Sequence, residues 1–414
     1  MKVQLLTHPK IPANEQEARE HRPVGRSTHY YQLMLEEMSA IAKACDNAGI
    51  EGFATTEHHF HTEGREMSPN PMLLYTKLAS ETEKLTFQPM SLVIPARDPI
   101  RTAEEIAMFD QMFPGRIQCG VARGYQRRWM QVLMQDAEGF SSFRPEEQKA
   151  NERNRAIFNE HIDIMLLALK EDCFKFDGEH YKVPFPYEGI KDPPAAEVAA
   201  EFGAPGEVEV EGTLTKIGVV PGPRTDKVLE LIAPFAGSPQ TLIDCAKRNI
   251  TINTLQCKRD LFTEQCETYR DLLVENGHED AYVGQNMMAG RFICIADSRE
   301  EAIAMHANSG GREIFEYMQR FGFAEPYRIP EEDDPDTFYI FEDRFAAAER
   351  MARVGVAICG TPEEVIEELR SLKRCHKDGN LDWLAWFFLQ QGNETLDTQL
   401  DQIKRFELEI RPHI

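Results

Sequence analysis

With 414 residues, 42% of them hydrophobic, the chain can bury one large core. Its 69 acidic residues against 46 basic ones give a formal net charge of -23, and no Lys/Arg run is dense enough to track a phosphate backbone, so no nucleic acid partner is expected. No stretch approaches the roughly 20 apolar residues of a membrane span, and the opening MKVQLLTHPK is too short in its apolar part for a secretory signal. A soluble, cytoplasmic protein with no membrane partner is therefore expected. The nine cysteines form no CxxC pair and lie scattered from Cys45 to Cys375, which predicts reduced, mostly buried thiols and no metal site.

Strand-like runs alternate with helical ones along the chain, at residues 3–7, 52–56, 85–94, 116–121, 227–235, 250–256, 291–296 and 381–388. Eight short apolar strands, each buried on both faces, fit a closed (β/α)8 TIM barrel, which has no exposed edge. Between the first two strands, Met34, Met38, Ile41, Ala42 and Cys45 recur at helical spacing before Gly49, a left-handed stop. Further on, Ser298 with Glu301 and Thr361 with Glu364 read as capped helix starts, the second with Pro362 in its first turn. A plain barrel needs only about 250 residues, so the excess is placed in insertions at strand-end loops of a single domain, 1–414. Segment 126–150 is the first interruption. Segment 173–220 starts with a hairpin around Asp177 and Gly178, and segment 310–350 carries an acidic patch at 331–336 and is expected to gate the barrel mouth.

Chemistry concentrates at predicted strand ends, where barrels place their active sites. Thr55-Thr-Glu-His-His-Phe60 closes the second strand with a carboxylate and two imidazoles, groups able to move a proton near neutral pH. Alternation along the chain points His58 inward and His59 away. The fourth strand ends in Gly120-Val-Ala-Arg-Gly-Tyr125, where Arg123 offers a guanidinium for phosphate and Gly120 and Gly124 permit close backbone approach, although arginine beside glycine is also ordinary turn chemistry. After the fifth strand, Gly237, Ser238 and Thr241 surround a helix start with Pro239 in its first turn, an arrangement that is either simple capping or an anion site. Trp383, Trp386, Phe387 and Phe388 are either packed core or the wall of an aromatic pocket. Neither GxGxxG nor GxxxxGK[ST] occurs, so a Rossmann nicotinamide site and a P-loop are unsupported.

Taken together and in this order, GFATTEHHF, P-x-R-x-P-I-R-x-A-E-E, D-Q-M-F-P-G-R and G-V-A-R-G-Y resemble the N-terminal half of bacterial luciferase-like flavin-dependent monooxygenases. The resemblance resumes at FDGEHY and at 236–249. It implies a barrel that binds reduced FMN as cosubstrate, delivered by a separate NAD(P)H-dependent flavin reductase. It also implies that oxygen adds at flavin C4a to form a peroxide that oxygenates a small organic substrate by hydroxylation or Baeyer–Villiger insertion. On the same ground, His58 is the imidazole beside the reactive flavin face. Arg123, with Gly124 and Tyr125, and Ser238 and Thr241, with Gly237, are assigned to the FMN phosphate. Met90 and Ser91 match a non-prolyl cis peptide under the isoalloxazine ring. A homodimer is implied as well. Ala122 stands where luciferases carry a reactive cysteine and Gly237 where they carry an acidic residue, so light emission is not expected. Two alternatives stay open: a deazaflavin F420-dependent hydride-transfer oxidoreductase, and a non-catalytic flavin-binding barrel.

Overall fold

The computed structural model describes residues 1–135, 148–191 and 193–414. Its strands are β1 (Lys2–Leu6), β2 (Gly52–Thr55), β3 (Thr86–Val93), β4 (Gly120–Ala122), β5 (Phe176–Asp177), β6 (Lys182–Val183), β7 (Ile232–Ala233), β8 (Thr251–Thr254), β9 (Met287–Ile295), β10 (Ala357–Gly360) and β11 (Trp383–Phe387). The architecture is the expected (β/α)8 barrel of parallel strands and covering helices. Two compact units are distinguished, Met1–Ser91 with Leu231–Ile414, and Leu92–Glu230.

In the first unit β11, β1, β2 and β3 pair in that order, and β9 pairs with both β11 and β8. β2, β8, β9 and β11 are buried along their whole length, and β11, Trp383-Leu-Ala-Trp-Phe387, accordingly reads as an apolar run without alternation. Leu6, Ala54, Met90, Met288, Ala385 and Phe387, from five strands of the sheet, share one core cluster. A polar bond lies inside as well: Gln4 Nε2 donates to Gln88 Oε1 over 2.8 Å, both side chains fully buried. Gly52 makes this possible, because a Cβ there would sit 2.0 Å from Gln88 Oε1.

Most elements match the sequence expectation, with three differences of physical interest. The predicted strand at 227–235 contracts to Ile232–Ala233, preceded by a 3-10 turn at Asp226–Leu229. An unpredicted strand, β10, runs beside Phe292–Ile295, the far half of β9. Only four residues long and pressed between a glycine stop at Gly355 and the Thr361 cap, β10 has too little sequence to show a period. Segment 310–350, read as a loop, contains helix Gly310–Glu316 and two 3-10 turns, and sends Ile314, Met318, Tyr327 and Phe341 into the core. Its acidic patch is tied down by Arg350, whose Nη1 lies 2.6 Å from Asp333. The expected helix ends are present: Gly49 is left-handed at φ 67°, Thr361 and Glu364 form a reciprocal capping box, and Ser298 accepts from the Glu301 amide.

The second unit is organised by carboxylates that answer backbone amides. Asp110, at the end of helix Pro99–Met112, accepts from Gly115 N at 2.8 Å and from Arg224 N and Thr225 N at 2.7 Å. Glu160, in helix Gln148–Lys170, accepts from the amides of Glu179, His180 and Tyr181, and so shapes the turn of the expected hairpin β5–β6. Part of segment 126–150 lies outside the described residues. Among those described, no helix is long and apolar enough to cross a membrane.

Candidate functional site

β1 and β2 end side by side, and the chain leaving each one carries histidine: His8 after β1, and His58, His59 and His61 after β2. These strand ends are where a barrel gathers polar groups. Glu66 sits among three of the rings, 2% exposed, with one carboxylate oxygen 3.1 Å from His58 Nδ1 and 3.8 Å from His8 Nδ1. The other oxygen lies 3.6 Å from His61 Nε2. Burial opposes ionisation of Glu66, but His58, His8 and His61 outweigh it and bring its pKa down to about 2. Glu66 is therefore a fixed carboxylate. Burial drives His8 the other way and favours its neutral ring despite Glu66, and His58 is the ring nearest the carboxylate. Glu66 also holds a left-handed backbone, φ 47°, a costly conformation for a residue with a side chain.

His58 Nδ1 also meets Thr56 Oγ1 at 3.1 Å. With the proton on Nδ1 directed at a carboxylate, the neutral ring carries its lone pair on Nε2, the arrangement of a positioned general base. His59, predicted to point away, is less buried than His58 and pairs with Glu57 at 3.0 Å. Segment 310–350 closes on this cluster. Tyr317 OH lies 3.1 Å from His61 Nδ1, while buried Glu313 takes Arg65 Nη1 at 3.0 Å and Lys10 Nζ at 3.3 Å. Burial works against ionised Glu313, but Lys10 and Arg65 lower its pKa.

Of the predicted cofactor residues in this unit, Met90 is buried in the core and Ser91 accepts from Glu57 N. The cis peptide expected at Met90–Ser91 is absent: every cis bond among the described residues precedes proline. The backbone departs from the ordinary here through rotation at Ser91, whose φ is 149°, and not through the peptide bond. Ser238 caps helix Pro239–Ala246, accepting from Thr241 N at 3.2 Å, and its Oγ lies 2.8 Å from Thr241 Oγ1. Its loop is anchored by Ala236 N donating to Asn253 O at 2.8 Å. Beside it Gly237 faces open space, since an added Cβ would meet nothing within 4 Å.

In the second unit Arg123 donates to Asn151 Oδ1, and its carbonyl accepts from Asn154 Nδ2 at 3.3 Å. Gly124 has φ 82°, and a Cβ there would lie 2.4 Å from Met130 Sδ. Tyr125 stands edge-on to Trp129 and accepts from Gln126 Nε2 at 2.8 Å.

The four aromatics near β11 divide by strand alternation. Trp386 and Phe388 pack on each other, and Trp386 also lies 4.8 Å from Phe406. Phe387 faces the opposite way, 5.4 Å from Phe292 and 6.1 Å from Phe235, which in turn meets Phe323 at 6.0 Å. Glu66, His8, Glu313 and Tyr317 were not legible as site residues. They carry no spacing signal, and only the strand-end position of His8 hinted at any role.

A family model described as luciferase-like monooxygenase matches residues 21–376. The chain belongs to this family. It is 21% identical over 344 residues to 3,6-diketocamphane 1,6-monooxygenase of Pseudomonas putida, covering 80% of this chain and 81% of that one. It is 24% identical to the alkanal monooxygenase alpha chain of Photorhabdus luminescens, covering 59% and 55% respectively. The first curated relatives are matched over only 24 to 55% of their length. Among solved structures, the oxygenating constituent of the Pseudomonas putida 3,6-diketocamphane monooxygenase, a type II Baeyer–Villiger enzyme in complex with FMN, superposes with TM-score 0.71 at 20% identity over 100% of this chain and 99% of that one. An F420-dependent secondary alcohol dehydrogenase superposes with TM-score 0.60 at 13% identity over all of both chains. At these identities the superpositions speak for the shared barrel alone.

Proposed function

We propose that the protein is a two-component monooxygenase that takes reduced FMN from a partner reductase and inserts one atom of molecular oxygen into a small organic substrate, the other atom leaving as water. The observation that carries this reading is the His58–Glu66 pair, a buried imidazole oriented by a fixed carboxylate at the end of a barrel strand. Bound and reduced, FMN supplies the two electrons and the carbon at which oxygen is activated. His58 Nε2 accepts and returns the proton that this chemistry moves. Glu66 holds the ring in the required tautomer and stabilises its protonated form. Ser238 and Thr241, hydroxyl donors at a helix N-terminus beside open space at Gly237, suit a phosphate dianion. On the family resemblance alone, Arg123 is proposed as a cation for FMN. Phe235, Phe323 and Phe387 offer an apolar wall for the substrate and keep water from the reacting atoms. A cytoplasmic homodimer belongs to the same reading.

Mass spectrometry with labelled oxygen, reduced FMN and panels of ketones, aldehydes and phenols tests it. One labelled atom in the product is expected, and substrate turnover without oxygen consumption would turn the assignment to F420-type hydride transfer. Arg123→Ala is expected to weaken FMN binding by about tenfold while sparing riboflavin, since a charge-assisted contact is worth about 1.5–3 kcal/mol. Equal loss for both ligands would remove Arg123 from the phosphate.

A further inference from the structure

β9 and β10 set Cys294 and Cys359 directly opposite each other in parallel register, and the last turn of helix Arg299–Asn308 brings His306 against both. One donor atom from each residue, two thiol sulfurs and a ring nitrogen, all lie within 4.8 Å of one another. Every member is buried, with exposures of 2% for Cys294, 3% for Cys359 and 0% for His306. The shell around the sulfurs is largely apolar, with Phe292, Ala302 and Met351 in the same core cluster and Ser309 as a polar neighbour of Cys294.

Two observations mark this as more than a chance meeting of thiols. Neither ring nitrogen of His306 has a hydrogen-bond partner among the described residues, an arrangement that native interiors rarely tolerate. Room has also been left for the ring: a Cβ on residue 310 would lie 2.6 Å from His306 Cε1 and 2.5 Å from Phe292 Cδ1, and that residue is Gly310.

We propose that Cys294, Cys359 and His306 bind one Zn2+ ion. Two sulfurs and an imidazole nitrogen are a borderline-soft donor set that suits zinc and not magnesium or calcium, and three protein donors leave the fourth tetrahedral position to a small ligand. Binding expels two thiol protons. The resulting complex of one dication with two thiolates carries no net charge, which an apolar shell accommodates far better than an isolated ion. Joining β9, β10 and helix Arg299–Asn308, the ion acts as a clip just ahead of segment 310–350.

The full-length protein, isolated anaerobically and stripped with chelator, is titrated with Zn2+, Mg2+ and Co2+. About one Zn2+ per chain, a rise in Tm with Zn2+ but not Mg2+, and a thiolate-to-cobalt charge-transfer band are expected. Cys294→Ser and Cys359→Ser are each expected to lose the band and at least tenfold in affinity. Absence of the band and of the Tm rise in the wild type overturns the proposal. So does a band that survives in the double variant, or a Cys294–Cys359 disulfide in the anaerobically isolated protein. Should the cysteine variants not fold, the wild-type band and Tm decide alone.

Discussion

His58 and His306 are both buried imidazoles of the first unit, one 5% exposed and the other 0%, yet their surroundings are opposite. His58 belongs to a cluster that answers itself: Glu66 faces three rings, and the charges of Lys10, Arg65 and Glu313 close around it. His306 lies between two sulfurs with both nitrogens unanswered. The first arrangement fixes a protonation state and waits for a reactant. The second offers donor atoms without a fixed charge, and the two differ because a carboxylate supplies negative charge at every ordinary pH whereas thiols do so only when something takes their protons.

The largest expected effect strikes the answered cluster. His58→Ala is expected to keep FMN binding and lose about 10²–10⁴-fold in product formation, with oxygen diverted to hydrogen peroxide. Stopped-flow absorbance with peroxide quantitation measures this. Normal turnover in that variant, with collapse in His59→Ala, would move the proton chemistry to the neighbouring ring.

Next comes acid stability. The Glu66 carboxyl is shifted from 4.5 to about 2 on folding, so it stabilises the protein fully above its unfolded pKa and ceases to do so as pH falls from about 4.5 to about 2. Such a shift corresponds to about 3 kcal/mol. Urea unfolding across that window should show the slope in the wild type and a flatter profile in Glu66→Gln, and parallel profiles would break the comparison.

A smaller effect concerns the gate. Because Glu313 and Tyr317 reach the histidine cluster from segment 310–350, flavin and substrate together should raise amide protection there by about tenfold, about 1.4 kcal/mol. Unchanged protection would make the segment an ordered insertion only.

The smallest effect is expected at the unanswered ring. In metal-free protein His306→Leu removes two unpaired polar atoms and should stay within about 1 kcal/mol of wild type by chemical denaturation. In zinc-loaded protein it should lose the whole metal-dependent gain in Tm. A large loss without metal would show that the ring already has partners.

The strands at 3–7, 52–56 and 381–388 were readable in the sequence because burial on both faces leaves short apolar runs, and Ser238, Ser298 and Thr361 were readable as caps because capping is local. The position of His58 was legible for the same reason, since a strand end in a barrel is a place defined by nearby residues. What the sequence by itself determined was thus the periodicity, the helix ends and the order of the family motifs. Only tertiary structure decided that Glu66 meets His8 and His61, that Glu313 comes back to Lys10 and Arg65, and that Cys294 faces Cys359 beside His306. Lys10 and Glu313 stand 303 positions apart. Contacts at such separation leave no period and no cap behind them, because they arise from closing the barrel and not from the propensity of any one segment.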